Sequence, residues 1–470
     1  MSQTPIERLR DYLGQLPPAS QALLMREFER AIERGQDVAV ATLVLDQLRK
    51  VARTADDDDA PPPPRAEDIA RFLFQPLEPF LVDGNAPMRP GQIRRTSLTP
   101  IWQWLIRDGA PDQIHEFEKV LAALPRSRDV QPPEAALRKL QLAVADAIFQ
   151  VTSPTTGGDQ RTLARIGAPN VVEDLVPIGA VLQAREAMDG LSGRLPMTMR
   201  NFADVHIDTA IEALNVPTLQ TAQLLPFALS LLMQRITAPW QIIRIAIRIA
   251  ASDDEVRVAA TPYGMAVTIA LHDLFCLAVR LRTDIKRGQF GSVPDNLKAL
   301  HDGVRGLRTE LDLRQDSTWG RQLASIRAEI SNTLQSEIDS VPGRVRRILR
   351  QRSDKDILAG ARIDGTEVDE TAALIDFVGL CRTYASELAI NEVTLRTYSD
   401  LQQYVEKSTE ALVQSLRAGD HRARAYRQTQ AQAAVRFCEA LFGREYASLM
   451  SRAVDNAVTA EPPRKPSRAG

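Results

Sequence analysis

Residues 222–287 hold the densest apolar sequence in the chain, in three runs: PFALSLLMQRI, PWQIIRIAIRIAAS and PYGMAVTIALHDLFCLAVRLRTDIKR. A membrane-spanning helix needs about 20 predominantly apolar residues. Arg235 falls in the first run, Arg244 and Arg248 in the second, and His272 with Asp273 in the middle of the third. A charged side chain at mid-bilayer costs about 2.5–3.5 kcal/mol, so the pattern argues against a span. A β-hairpin is the second option. Ile243, Ile245, Ile247 and Ile249 alternate with Arg244, Ala246 and Arg248, the period of a half-buried strand, and a turn-like 252–254 precedes Val256 and Val258. Against it, Gln241, Arg244, Arg248 and Ser252 form one polar stripe at helical spacing. Ser252 with Glu255 also matches a capping box. A lone hairpin would lack the third strand that gives stability. Helix is the expected form, with a hairpin over 243–258 as the alternative.

The third run is a plainer helix. Thr261 is placed to cap it, and Pro262 falls at the first helical position, where its missing N–H costs nothing. Thr268, His272, Cys276, Arg280 and Asp284 recur every four residues as a narrow polar stripe, so most of the circumference is expected in the core.

The rest of the chain extends this all-α reading. Residues 1–53 read as an N-terminal helical module. The acidic, proline-rich TADDDDAPPPPR at 54–65 reads as a linker, since like charges repel and prolines stiffen the chain. Residues 66–357 form a central helical body, 366–457 a region of long helices, and 458–470 a tail disordered by composition. In the central body, Trp102 and Trp104 are two apart and cannot share a helix face; core or intra-chain contacts are expected for both. Leu323, Ile326, Ile330, Leu334, Ile338 and Val341 step by threes and fours as an amphipathic seam, which Pro342-Gly343 is expected to break. Further on, Leu374, Val378, Cys381, Leu388, Leu395, Tyr398, Leu401, Val405 and Leu412 keep helical phase, suggesting a helical hairpin or rod. A last helix over 424–457 is expected to bury Phe437, Cys438, Leu441, Tyr446, Leu449 and Met450. A faint echo between LVPIGAVLQ (175–183) and LLPFALSLL (224–232) hints at an elongated, solenoid-like body.

Function is less legible than architecture. The formal charge of −2 gives no global attraction to nucleic acid or anionic lipid. Three scattered cysteines, Cys276, Cys381 and Cys438, make neither a disulfide framework nor a metal knuckle. With no apolar signal segment at the N-terminus, a cytoplasmic setting is expected. The 50 Arg against 8 Lys suggest a GC-rich, bacterial genome. Phosphate loops, HExxH, CxxC and GxSxG are all missing, so no cofactor, metal or catalytic residue is assigned. The sharpest functional hint is VRRILRQR. Arg344, Arg346, Arg347, Arg350 and Arg352, with Val345, Ile348 and Leu349, form a short basic amphipathic segment, a pattern that suits anionic lipid, nucleic acid or an acidic partner. The favoured reading is a non-catalytic scaffold or adaptor acting through protein partners, with homo-oligomerisation as one form of it. Two alternatives stand beside it. One is a peripheral binder of anionic surfaces through 344–352; the other is an all-α enzyme, with His272, Asp273 and Arg280 as first suspects.

Overall fold

A computed structural model describes residues 13, 16, 18–33, 41–42, 44–45, 47–48, 66–84, 88–124, 131–153, 160–353, 356–357, 361–418 and 423–459. The chain is all-α. Among these residues there are 19 α-helices, and the only sheet pairs the two-residue strands β1 (Leu81–Val82) and β2 (Ile93–Arg94). The linker read at 54–65 and the tail beyond 459 lie outside the described residues. The chain divides into two compact units, 1–78 with 94–183, and 79–93 with 184–470.

The first unit contains α1 (Pro18–Glu33), α2 (Ala66–Phe74), α3 (Leu98–Trp104), α4 (Pro111–Ala122), α5 (Glu134–Thr152), α6 (Gln160–Ile166) and α7 (Pro169–Gln183). Leu13 and Leu48 make a small core with Leu24, Met25, Phe28 and Val44 around it. The larger core forms where α5 packs on α7, with Val144, Ile148, Leu175 and Ile178 fully buried. Trp102 and Trp104 are both buried, as expected. Their 200° separation is met because α3 is enclosed on two sides, Trp102 meeting Phe74 edge-on at 6.3 Å. Asp174 is 4 % exposed and is held by Ser97 Oγ at 2.6 Å, the Arg94 N–H at 3.2 Å and Arg94 Nη1 at 3.1 Å. A buried carboxylate needs such partners, so this group locks α7 to the start of α3.

The second unit runs through α8 (Arg185–Gly193), α9 (Asp204–Leu214), α10 (Leu225–Met233), α11 (Ile243–Ala250), α12 (Glu255–Ala259), α13 (Met265–Lys286) and α14 (Val293–Glu310). It ends with α15 (Thr318–Leu349), α16 (Gly365–Tyr384), α17 (Asn391–Ala418), α18 (Arg424–Phe442) and α19 (Arg444–Thr459). The opening stretch is helical. Ile242, Ile243, Ile245 and Ala246 are fully buried, a helical set that no strand could turn to one side. Arg244 and Arg248 share the outer face. Arg244 chelates Glu310, donates to the Phe202 carbonyl at 2.9 Å and lies 5.5 Å from the Trp240 ring. Arg248 pairs with Asp208 at 2.9 Å. The chain leaves α11 through left-handed Ala251 (φ 49°). The cap of α12 is Asp254, which accepts from the Arg257 N–H at 2.9 Å; Ser252 accepts from the Asp254 N–H instead. Glu255, expected to complete a capping box, receives the Arg314 N–H at 2.9 Å.

Residues 262–286 are long and apolar enough to cross a membrane by length and composition, and half of the apolar window is buried inside the protein. Helix α13 packs against α10, α11, α14 and α15. Its polar stripe has partners: Thr268 accepts from Trp319 Nε1 at 3.2 Å and Asp284 from Ser292 at 2.9 Å. Thr261 bonds back to the Val258 carbonyl and gives no side-chain cap.

Three further expectations are corrected. Helix α15 continues through Pro342 to Leu349, because Ile338, Val341, Val345 and Ile348 keep one buried stripe in register across the proline. The continuous phase from Leu374 to Leu412 is interrupted by left-handed Ala389 (φ 55°), which separates α16 from α17; Leu395 then stands 59 % exposed while Thr394 and Thr397 turn inward. The final helix is two, broken at Gly443 (φ 85°), and Leu449 is 57 % exposed.

Candidate functional site

The five arginines of 344–352 lie at the end of α15 and just past it, and three of them have separate partners. Arg347 pairs with Glu367 at the start of α16. Arg346 lies 5.7 Å from the Tyr404 ring on α17, and Arg352 lies 5.9 Å from Tyr426 on α18. Arg344 is half-buried and Arg350 exposed. The apolar half of the segment is consumed by the protein itself: Val345, Ile348 and Leu349 are at most 2 % exposed. An amphipathic helix that lies in a lipid interface inserts that face, so only the charges are left for an outside partner. One of the last carbonyls of α15 and one just past its end are covered as well. Gln430 of α18, 1 % exposed, donates Nε2 to Ile348 O at 2.8 Å and to Arg350 O at 3.0 Å.

The second candidate group, His272, Asp273 and Arg280, gains Cys276 from the same polar stripe and Arg89, which the sequence did not single out. Arg89 comes from the segment before β2. Its Nη1 donates to Ser230 Oγ at 2.6 Å and to Pro90 O at 3.0 Å, and its N–H donates to Gln92 Oε1 at 3.2 Å. Gly91 lets that segment lie on α10. It has φ 80°, and a Cβ there would meet the Pro226 carbonyl, with Ser230 Oγ at 2.5 Å. Burial pulls the Arg89 guanidinium below its ordinary pKa, against the pull of Asp273 and Cys276. Burial raises the Asp273 carboxyl, and Arg89 and Arg280 partly restore it. Cys276 is pushed up by burial and then by Asp273, so it is held as the thiol, the unreactive form. His272 Nδ1 sits 3.5 Å from Cys276 Sγ. The group is an Arg–Asp–Arg cluster with an excess of positive charge beside an inert thiol, without an activated nucleophile.

Hollows also lie elsewhere among the described residues. One is lined by Arg352, Arg427 and Gln430 among others, one by Phe117, Val120 and Leu140, and one by Asp376, Arg436, Glu439 and Arg444. In the last, Glu439 already bridges Arg436 at 2.9 Å and Arg444 at 3.5 Å. Among the described residues, no three His, Cys, Asp or Glu side chains group as a metal site requires. No protein-family model, curated protein or solved structure matches the chain.

Proposed function

We propose that this chain is a non-catalytic scaffold or adaptor of the bacterial cytoplasm, presenting helical surfaces to protein partners. One observation carries the reading. The two longest helices among the described residues, α15 with 32 residues and α17 with 28, pack along one another. At 1.5 Å per residue they run for about 48 and 42 Å. Their inner stripes are sealed by Ile330, Leu334, Ile338, Leu401 and Val405, which makes a stiff platform with water-facing outer sides. On that platform Leu395, and on neighbouring α19 Leu449, stand in water. Single exposed leucines are ordinary on a protein surface; here they give the proposal its test. A photoreactive residue at 395 or 449, activated in the living cell, is expected to join this chain to one recurring protein. Adducts no different from those at Arg257, an exposed residue on a short helix far along the chain, would remove the reading.

A second reading rests on the exposed Arg346, Arg347, Arg350 and Arg352: peripheral binding to an anionic surface. With the apolar face buried, such binding is electrostatic and falls steeply with salt. Pelleting with anionic liposomes at two salt concentrations tests it, and binding unchanged by Arg347→Ala with Arg350→Ala contradicts it.

A further inference from the structure

We infer that the hollow bounded by α16, α18 and the start of α19 is a binding site for a small zwitterion of the α-amino-acid class, its ammonium taken by Asp376 and its carboxylate by Arg436. This goes beyond the scaffold reading and does not depend on it. The hollow encloses about 230 Å³ and is partly open to solvent. A cavity of about 150 Å³ takes one benzene, so the same scaling admits roughly nine non-hydrogen atoms here. That is the size of a mid-sized amino acid, and below the roughly 300–1,000 Å³ of pockets for drug-sized ligands.

Helical spacing brings the lining together. Ala372 and Asp376 are one turn apart on α16, and Arg436, Glu439 and Ala440 are one turn apart on α18, so each set shares a face. Helices α16 and α18 pack on one another. Gly443, with φ 85°, turns the chain into α19, and Arg444 Nε then lies 3.5 Å from Glu439. Two carboxylates and two guanidiniums therefore line one hollow. Their formal charges cancel, so a ligand without net charge leaves the site balanced.

The pairing within the hollow has a gap. Glu439 accepts from Arg436 Nη1 at 2.9 Å, which uses one of the five donors of a guanidinium. Asp376 feels the charge of Arg436, yet it makes no hydrogen bond or ion pair among the described residues. An α-amino acid carries its ammonium and its carboxylate on one carbon. Seated between the two side chains, it gives Asp376 a donor and Arg436 a second acceptor, both as charge-assisted hydrogen bonds. Partial burial raises the Asp376 carboxyl, Arg436 opposes the rise and Glu439 adds to it; an ammonium supplies the missing counter-charge. Ala372, 3 % exposed, and Ala440 make small apolar walls beside these groups. Sequence alone could not find this site, because Asp376 and Arg436 sit on helices separated by the whole of α17.

The test is calorimetric titration of the full chain with L-leucine and with L-glutamine. Each is compared with its N-acetyl derivative, which lacks the ammonium, and with its α-amide, which lacks the carboxylate. A saturable one-to-one isotherm is expected for at least one of the two amino acids. Losing a hydrogen bond to a charged group lowers affinity by about tenfold or more. The N-acetyl derivative, the amide, and the parent amino acid on an Asp376→Asn chain should each bind that much more weakly. Arg444→Gln, which removes an exposed charge, should weaken binding by about threefold. Arg396→Gln, an exposed arginine paired with Asp339, should leave it unchanged. Circular dichroism reports whether each variant folds, and the analogue titrations use the unaltered chain, so they decide the matter in either case. No saturable heat from either amino acid, an analogue bound as tightly as its parent, or unchanged affinity in a folded Asp376→Asn chain overturns the assignment.

Discussion

Removing the Glu310 carboxylate tests how the central helix α11 is anchored. Arg244 and Glu310 have side chains 26 % and 25 % exposed, and Glu310 takes both the Nε and an Nη donor of Arg244. In Glu310→Ala the guanidinium keeps the Phe202 carbonyl, the Trp240 face and the weaker attraction of Asp204. Breaking a fully buried pair costs about 3–5 kcal/mol, and an exposed pair about 0–1 kcal/mol. A pair three-quarters buried should fall between, at about 2–3 kcal/mol. With a urea slope of about 3 kcal/mol per molar, the unfolding midpoint drops by about 0.8 M. The assay is urea unfolding of the full chain followed by circular dichroism, with Asp208→Ala as the comparison. Asp208 pairs with Arg248, where the side chains are 48 % and 56 % exposed, so its loss should cost about 0.5 kcal/mol or less. Replacing the Arg244–Glu310 pair together by Met and Leu should recover much of the loss, since it leaves no unpaired charge. Equal midpoints for Glu310→Ala and Asp208→Ala would refute the argument that burial sets the worth of these pairs.

Three further outcomes are expected. Gly306→Ala places a Cβ 2.5 Å from the Trp240 ring and should cost about 1–3 kcal/mol as overpacking, read as a lower urea midpoint with tryptophan fluorescence altered in the folded state. Pro342→Ala supplies an N–H inside α15 and should stabilise by about 1–3 kcal/mol, read by thermal unfolding; a lower melting temperature would show that the ring packs better than this account allows. Asp273→Asn should stabilise at neutral pH, because burial, only partly offset by Arg89 and Arg280, penalises the charged carboxylate. The native state then holds that proton to higher pH than the unfolded chain, so stability is lost as pH rises above the ordinary carboxylate pKa. The gain from Asn should accordingly vanish as pH falls below about 4; a gain independent of pH would rule out titration as its cause.

The helical class was legible because the apolar period of 3.6 survives in most segments. The run 242–249 shows its limit. Alternating Ile and Arg satisfy both periods on paper, and the tie is broken by what lies outside: Glu310 and Asp208 wait on one side of α11 for Arg244 and Arg248. Pro342 misled because a local breaker was weighed without the seam that continues past it. Leu395 and Leu449 misled in the opposite sense, since a left-handed Ala389 and Gly443 reset the helical phase. Nothing in composition marks Ala184, the single residue between α7 and α8 where the two units meet in sequence. Of the candidate groups, Asp273 and Arg280 were visible as charges on an apolar helix. Arg89 was not, because its approach depends on Gly91 lying against Pro226, a contact between positions far apart in sequence.

The scaffold proposal meets its most direct test in affinity capture of the intact chain from its own cell, with the molar ratio of each co-purifying protein to the chain quantified. The account predicts at least one protein, or a second copy of this chain, near one to one, falling at least fivefold when Leu395 and Leu449 are both changed to Glu. Recovery of the chain alone, monomeric and without a partner near stoichiometry, contradicts it.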